Sequence, residues 1–201
     1  MWLLNYSNVI DPILKNVRIR VIKLSGIKAE DKVLDVCCGT GDQAFYYVRA
    51  GAFAYGIDLN PKMIEVAEKN KKKLNLNNIY FQVADAQSLP FEDNFFDYVS
   101  ISFGLHEKDR EVRDIIISEM RRVVKKGGIL IFIDFQIPLP KGIYSFLVNR
   151  IERFAGNDHY QYFEDYLRRG GLREILRKNQ LFIERNERKK NGIFEIITVR
   201  N

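Results

Sequence analysis

The sequence predicts an α/β fold: a seven-stranded, mostly parallel sheet with helices on both faces and an antiparallel hairpin at the C-terminus. Three observations carry this expectation. Strand-like and helix-like stretches alternate through most of the chain, as they do where crossover helices join parallel strands. The run "ILIFIDF" is apolar enough to be buried on both faces of a sheet. The stretch "LFIERNERKKNGIFEIITVR" reads as two strands joined at Asn191-Gly192, a strong hairpin signal.

The elements follow in order. "DKVLDVCC" is the first strand, and a helix over about 42–50 comes next, with Gly51 placed to cap it. "AFAYGID" is the second strand. Asn60 then stands as an N-cap with Pro61 at the first helical position, opening the helix "KMIEVAEKNKKKL". Its lysines, 69 and 71–73, form a solvated end where cations suit the helix dipole. "IYFQVAD" is the third strand, and "NFFDYVSISFG" the fourth, reached through the turn-rich "SLPFEDN". A helix over about 108–124 carries Ile115, Ile116, Met120, Val123 and Val124 at core spacing. "KKGG" stops it before the fifth strand, "ILIFIDF". Two more helices are expected, at about 143–154 and 164–178, ahead of the closing hairpin.

Composition limits the function classes. The chain has 201 residues, 46% of them hydrophobic, enough for one core and one domain. "MWLLNYSNVIDP" lacks the basic start of a signal peptide, and no apolar run approaches the roughly 18 residues that span a bilayer. The expected location is cytoplasmic, with contact at a membrane surface left open. The two cysteines, Cys37 and Cys38, are adjacent, which fits neither a disulfide framework nor ordinary disulfide geometry. A metal site lacks partners on spacing grounds: the histidines, His106 and His159, stand at no zinc-motif interval, so no metal is expected. The net charge of +6 and pI of about 9.2 would suit RNA or acidic lipid. The lysines are dispersed, however, so a nucleic-acid partner is not expected.

Three carboxylates fall at strand ends: Asp35, Asp58 and Asp85. In open α/β sheets ligands bind at that edge, near the point where strand order reverses. Asp58 lies nineteen residues after Gly39, a spacing that suits hydrogen bonds to ribose hydroxyls. The loop "DVCCGTGD" keeps only Gly39 and Gly41, without the third glycine of a dinucleotide fingerprint. Asp35 and Asp42 flank it, and two carboxylates would repel a pyrophosphate. They are tolerable beside a ligand carrying a sulfonium and an ammonium, so the loop favours S-adenosylmethionine.

Four stretches together, "VLDVCCGTGD", "GIDLNPKMIEVAEK", "VADAQSLPFEDNFFDYVSISFGL" and "EMRRVVKKGGILIFIDF", resemble a class I S-adenosylmethionine-dependent methyltransferase. More narrowly, they are similar to the ubiquinone/menaquinone-biosynthesis C-methyltransferase family, over roughly residues 31–135. The resemblance implies a Rossmann-like fold and S-adenosyl-L-methionine as cofactor. It divides the single domain 1–201 into an N-terminal helical cap (1–30), a cofactor-binding core (31–135), a helical lid region (136–180) and the C-terminal hairpin (181–201). It places Asp35, Gly39, Thr40 and Gly41 around the methionine part, with Cys37 and Cys38 as compact side chains that let the backbone approach. A reactive thiolate there would need a cationic neighbour, and Asp35 and Asp42 have the opposite charge. Asp58, followed by Leu59, would hold the ribose; Asp85 and Ala86 would face the adenine. Met63 either packs on the adenine or is an ordinary core residue. Ser102 and Phe103 would lie beside the sulfonium.

Substrate chemistry is read after the fourth strand. "SISFGL" is not the Asn/Asp-Pro-Pro-aromatic loop of many nucleic-acid N-methyltransferases, and no cysteine follows that could attack a pyrimidine. The expected acceptor is therefore small and fairly apolar, with a quinone precursor first. The alternatives are an RNA or protein methyltransferase and a non-catalytic S-adenosylmethionine-binding domain. Where the resembling family usually has Arg-Asn, this chain has His106-Glu107. His106 is expected at the mouth of the site, either as a base for a phenolic proton or as a surface residue at a helix start. The aromatic-rich segment after Phe135, with the N-terminal stretch, makes either an apolar pocket or plain helix packing. Tyr6, His159 and Tyr160 are the candidates for substrate contact.

Overall fold

The computed structural model describes residues 2–140, 142, 148, 150, 152–154, 156–188 and 192–201, with side chains from residue 14 onward except 157. A long helix, α1 (Trp2–Ser25), precedes β1 (Lys32–Val36), α2 (Asp42–Arg49), β2 (Phe53–Asp58), α3 (Pro61–Lys73), β3 (Ile79–Val83) and β4 (Phe96–Ser102). Then come α4 (Arg110–Val123), β5 (Val124–Phe135), α5 (Asn157–Arg168), α6 (Gly171–Lys178), β6 (Ile183–Arg188) and β7 (Phe194–Arg200). The seven strands form one sheet in the order β3-β2-β1-β4-β5-β7-β6. β1 to β5 pair in parallel, and β7 pairs antiparallel with both β5 and β6. This is the predicted sheet. The order reverses between β1 and β4, which opens a crevice beyond their carboxyl ends.

Alternation along the strands makes two cores. Leu34 and Val36 of β1, with Leu130 and Phe132 of β5, bury one face with α4 and α6. Val33 of β1, with Ile131 and Ile133 of β5, buries the other with α1 and α2. A period-2 strand with apolar residues on both sides permits this double covering.

Local signals set most boundaries. The Asn60 side chain accepts from Lys62 N–H at 3.0 Å and Pro61 opens α3, while Asp109 caps α4 by accepting from Val112 N–H at 3.0 Å. Three differences from expectation stand out. Ile115 is 44% exposed and Ile117 is buried in its place, because α4 turns the face 113-116-117-120 inward. "KKGG" does not separate α4 from β5. The strand starts at Val124 beside Phe96, and a bulge absorbs the intervening residues before Tyr98 pairs with Ile129. The single helix expected at 164–178 is two helices, broken where Gly170 and Gly171 take φ of +91° and +65°. The helix expected at 143–154 falls mostly outside the described residues, as does Asn191 of the hairpin turn. Among the described residues, no helix is long and apolar enough to cross a membrane.

Candidate active site

The chain leaves β1 through a tight, left-handed path. Cys37 (φ +56°), Gly39 (φ +54°) and Gly41 (φ +81°) all have positive φ, which costs a cysteine strain that a glycine avoids. Cys38 N–H donates to Ile57 O at 2.8 Å, and Gly41 N–H to Cys38 O at 2.9 Å. Asp58, ending β2, fastens the loop by accepting from Gly39 N–H and Asn60 N–H, each at 2.9 Å. A Cβ on Gly41 would lie 2.5 Å from the Phe81 ring, so the α2 start packs directly on β3.

Beside this loop is a cavity of about 230 Å³. It gathers Asp35, Cys37, Cys38, Gly39, Thr40, Ser102 and Phe103, all singled out in the sequence, and adds Leu14, Val17, Arg18, Gln43 and Ile133. Arg18 was not foreseen from sequence. The signal was there: it interrupts the apolar stripe Leu14, Val17, Val21 of α1, where a charge faces inward. Its guanidinium reaches Asp42 Oδ2 at 3.5 Å. Gly41, Asp58, Leu59, Met63, Asp85 and Ala86 do not line this cavity. Asp58 and Leu59 stand at the end of β2 and Asp85 and Ala86 just beyond β3, with Leu59 68% exposed and Ala86 buried, while Gly41 precedes α2 and Met63 lies on α3. The exposed Asp85 accepts from Gln87 N–H at 2.9 Å.

Charge is unusual here. Asp35 is buried, and burial pushes its carboxyl up to about 7 despite the Ser100 hydroxyl donating to it at 2.9 Å and the nearby Arg18 charge. Burial likewise pushes the Cys37 thiol up to about 12, with Glu107, Asp58 and Asp35 adding to it, and Cys38 moves in the same direction. Both thiols stay protonated and unpaired, so neither is an activated nucleophile. The Ser102 hydroxyl is buried without a hydrogen-bond partner among the described residues. A ligand bearing an ammonium, polar groups and an apolar body fits this set: a carboxylate short of a cation, an arginine, and an unsatisfied hydroxyl.

Further along the crevice, four residues remote in sequence converge. His106 Nδ1 lies 2.7 Å from Asp134 Oδ1, and its Nε2 lies 3.5 Å from Glu152 Oε2. His159 Nε2 lies 2.5 Å from the same Glu152 oxygen. Burial alone would lower the His106 imidazole, but Asp134 and Glu152 override it and hold it up at about 10. Burial would raise Glu152, and the two histidines bring it down to about 2. This corrects the sequence expectation for His106. The residue is 4% exposed, not at the mouth, because the rings of Phe135, Phe163 and Tyr166 pack around it. Both its ring nitrogens face carboxylates. Tyr160 instead hydrogen-bonds Arg153 at 3.2 Å, and the side chain of Tyr6, on α1, lies outside the described residues.

The model of the ubiE/COQ5 methyltransferase family matches residues 12–170. A demethylmenaquinone methyltransferase of Staphylococcus haemolyticus is 41% identical over 136 residues, covering 64% of this chain and 54% of that protein. One from Staphylococcus aureus (strain JH9) is 39% identical over the same length. The chain thus spans about half the length of the curated relatives it matches. Among solved structures, a SAM-dependent methyltransferase from Aquifex aeolicus superposes with a TM-score of 0.67 at 22% identity, over 91% of this chain and 88% of that one. The [4+2]-cyclase SpnF superposes with a TM-score of 0.69 at 21% identity, over 92% and 79%. At such identities the likeness shows the fold alone, and the cyclase illustrates that the fold does not fix the reaction.

Proposed function

The chain belongs to the ubiE/COQ5 methyltransferase family, and from that premise we propose that it binds S-adenosylmethionine at the β1/β4 switch point. It transfers a methyl group to a small, fairly apolar acceptor, with C-methylation of a quinone precursor as the first reading. The observation that carries this is the cavity in which Asp35, Arg18 and the Ser102 hydroxyl, buried without a partner among the described residues, meet the glycine loop.

S-adenosylmethionine, when bound, supplies a methyl group on a cationic sulfonium, open to in-line attack. The protein's part is to hold and align. Asp35 and Arg18 offer opposite charges to the two charged ends of an amino acid. Asp58 takes two backbone N–H groups and keeps lone pairs for ribose hydroxyls. Asp85 is exposed beyond β3, able to accept from an exocyclic amine, with Leu59, Met63 and Ala86 as apolar surface nearby in sequence. Leu14, Phe103 and Ile133 give the cavity an apolar wall. For the acceptor we keep His159 and Tyr160 of α5 and Tyr6 of α1.

Calorimetry with S-adenosylhomocysteine, followed by labelled-methyl transfer to a metabolite extract, tests the reading. Binding and transfer to a small apolar species are expected. Absence of binding would overturn the reading whole. Binding without transfer would leave a non-catalytic binding domain, and transfer only to RNA would replace the acceptor class.

A further inference from the structure

The chain has two histidines, and the fold sets both against one buried carboxylate. Nε2 of His106, Nε2 of His159 and a Glu152 oxygen come from three separate segments. One donor atom from each residue lies within 4.8 Å of the others. Zinc ligated at about 2.0–2.2 Å in a tetrahedron keeps its donors roughly 3.3–3.5 Å apart. The His106–Glu152 separation of 3.5 Å already meets that. The His159–Glu152 pair, at 2.5 Å, has to open by about 1 Å, a change within reach of side-chain torsions.

The rear nitrogen of each ring also faces a carboxylate. His106 Nδ1 meets Asp134 at 2.7 Å, and His159 Nδ1 meets Glu107 at 3.6 Å. Such outer partners fix the tautomer and the orientation of ligating imidazoles. Asp134 is itself held by the backbone N–H groups of His106 (3.2 Å) and Phe135 (2.8 Å). Glu107 is braced by Lys108 at 2.7 Å. The rings of Phe135, Phe163 and Tyr166 enclose His106, so charge in the cluster is poorly screened. Carboxylates face both rings, an arrangement that takes a cation in exchange for the protons on the ring nitrogens facing Glu152.

We propose that His106, Glu152 and His159 form a site for one zinc-type divalent ion, oriented by Asp134 and Glu107. Two imidazoles and one carboxylate are a donor set of zinc sites that keep a position open for water, and the nitrogen donors disfavour magnesium and calcium. The site is distinct from the cofactor cavity, none of whose lining residues belongs to it.

The test is titration of the metal-stripped chain with Zn²⁺ by calorimetry and with Co²⁺ by visible absorption, without cofactor. It therefore stands apart from the methyl-transfer reading. One equivalent per chain is expected, with the ligand-field bands of a tetrahedral cobalt site. H159A, at a partly exposed position, should weaken binding at least about 10-fold, and D134N about 10–100-fold, both with unchanged far-UV circular dichroism. E152Q, which preserves side-chain volume, should weaken it as H159A does. Failure of the wild-type chain to bind either ion stoichiometrically would overturn the proposal, as would wild-type affinity in H159A and E152Q.

Discussion

The two ends of the crevice are built in opposite ways. The loop from Asp35 to Asp42 is one short stretch, shaped by its own backbone and fastened by Asp58. The histidine cluster draws on residues 106, 134, 152 and 159, none adjacent, and exists only because the turn after β4, the end of β5, Glu152 and α5 come together. The first presents a buried carboxylate without a full counter-charge. The second sets two histidines against three carboxylates. The difference teaches that a site made of contiguous backbone is announced by its motif, whereas one made of converging side chains is not.

The largest expected effect tests the loop. Asp35 titrates near 7 when folded and near 3.8 when unfolded, so the folded state holds its proton more tightly. That stability is full below about 4 and lost as pH rises through 7, at a cost on the order of 4 kcal/mol as an upper bound. Asp35→Asn should therefore raise the melting temperature of the cofactor-free protein at pH 8 and leave it nearly unchanged at pH 4. S-adenosylhomocysteine affinity should fall. Thermal denaturation at both pH values checks the first, calorimetry the second; equal stability of the two proteins at pH 8 would refute the strain.

The next effect tests the cluster. Arg113, 3% exposed, donates to Leu105 O at 2.8 Å, Tyr162 O at 2.9 Å and Asp165 at 3.3 Å, tying the His106 turn to α5. Arg113→Ala strands those acceptors and should cost about 3 kcal/mol, lowering the melting temperature by roughly 6–12 °C. Cofactor affinity should change by less than about 3-fold if the two ends are independent. A parallel loss of affinity would show that they are coupled.

The smallest effect concerns the cysteine pair. Cys37 adopts φ +56°, a conformation glycine enters freely. Its thiol is held protonated by burial. Cys37→Gly should change stability by no more than about 1 kcal/mol and preserve cofactor binding, as calorimetry would show. The wild-type thiols should resist alkylation at pH 8.

Much of this was readable before folding. Asn60-Pro61 set the start of α3, and "DVCCGTGD" with Asp58 marked the loop and its fastening. Asp134 and Glu152 were passed over because an aspartate ending a strand and a glutamate in an aromatic-rich segment carry no signal until their partners arrive. The interval between His106 and His159 could not point to their meeting for the same reason. Spacing tests neighbours along the chain, and His106 and His159 are 53 residues apart. Arg18 was legible only as a charge on an apolar stripe.

By itself the sequence determined the sheet, its parallel sense and the glycine loop at the end of β1, because periodicity and turn chemistry act over a few residues. Only the tertiary structure decided where His106 points, that one glutamate serves two histidines, and that Asp35 is short of counter-charge. Burial and charge pairing depend on what packs alongside, and no local pattern encodes that.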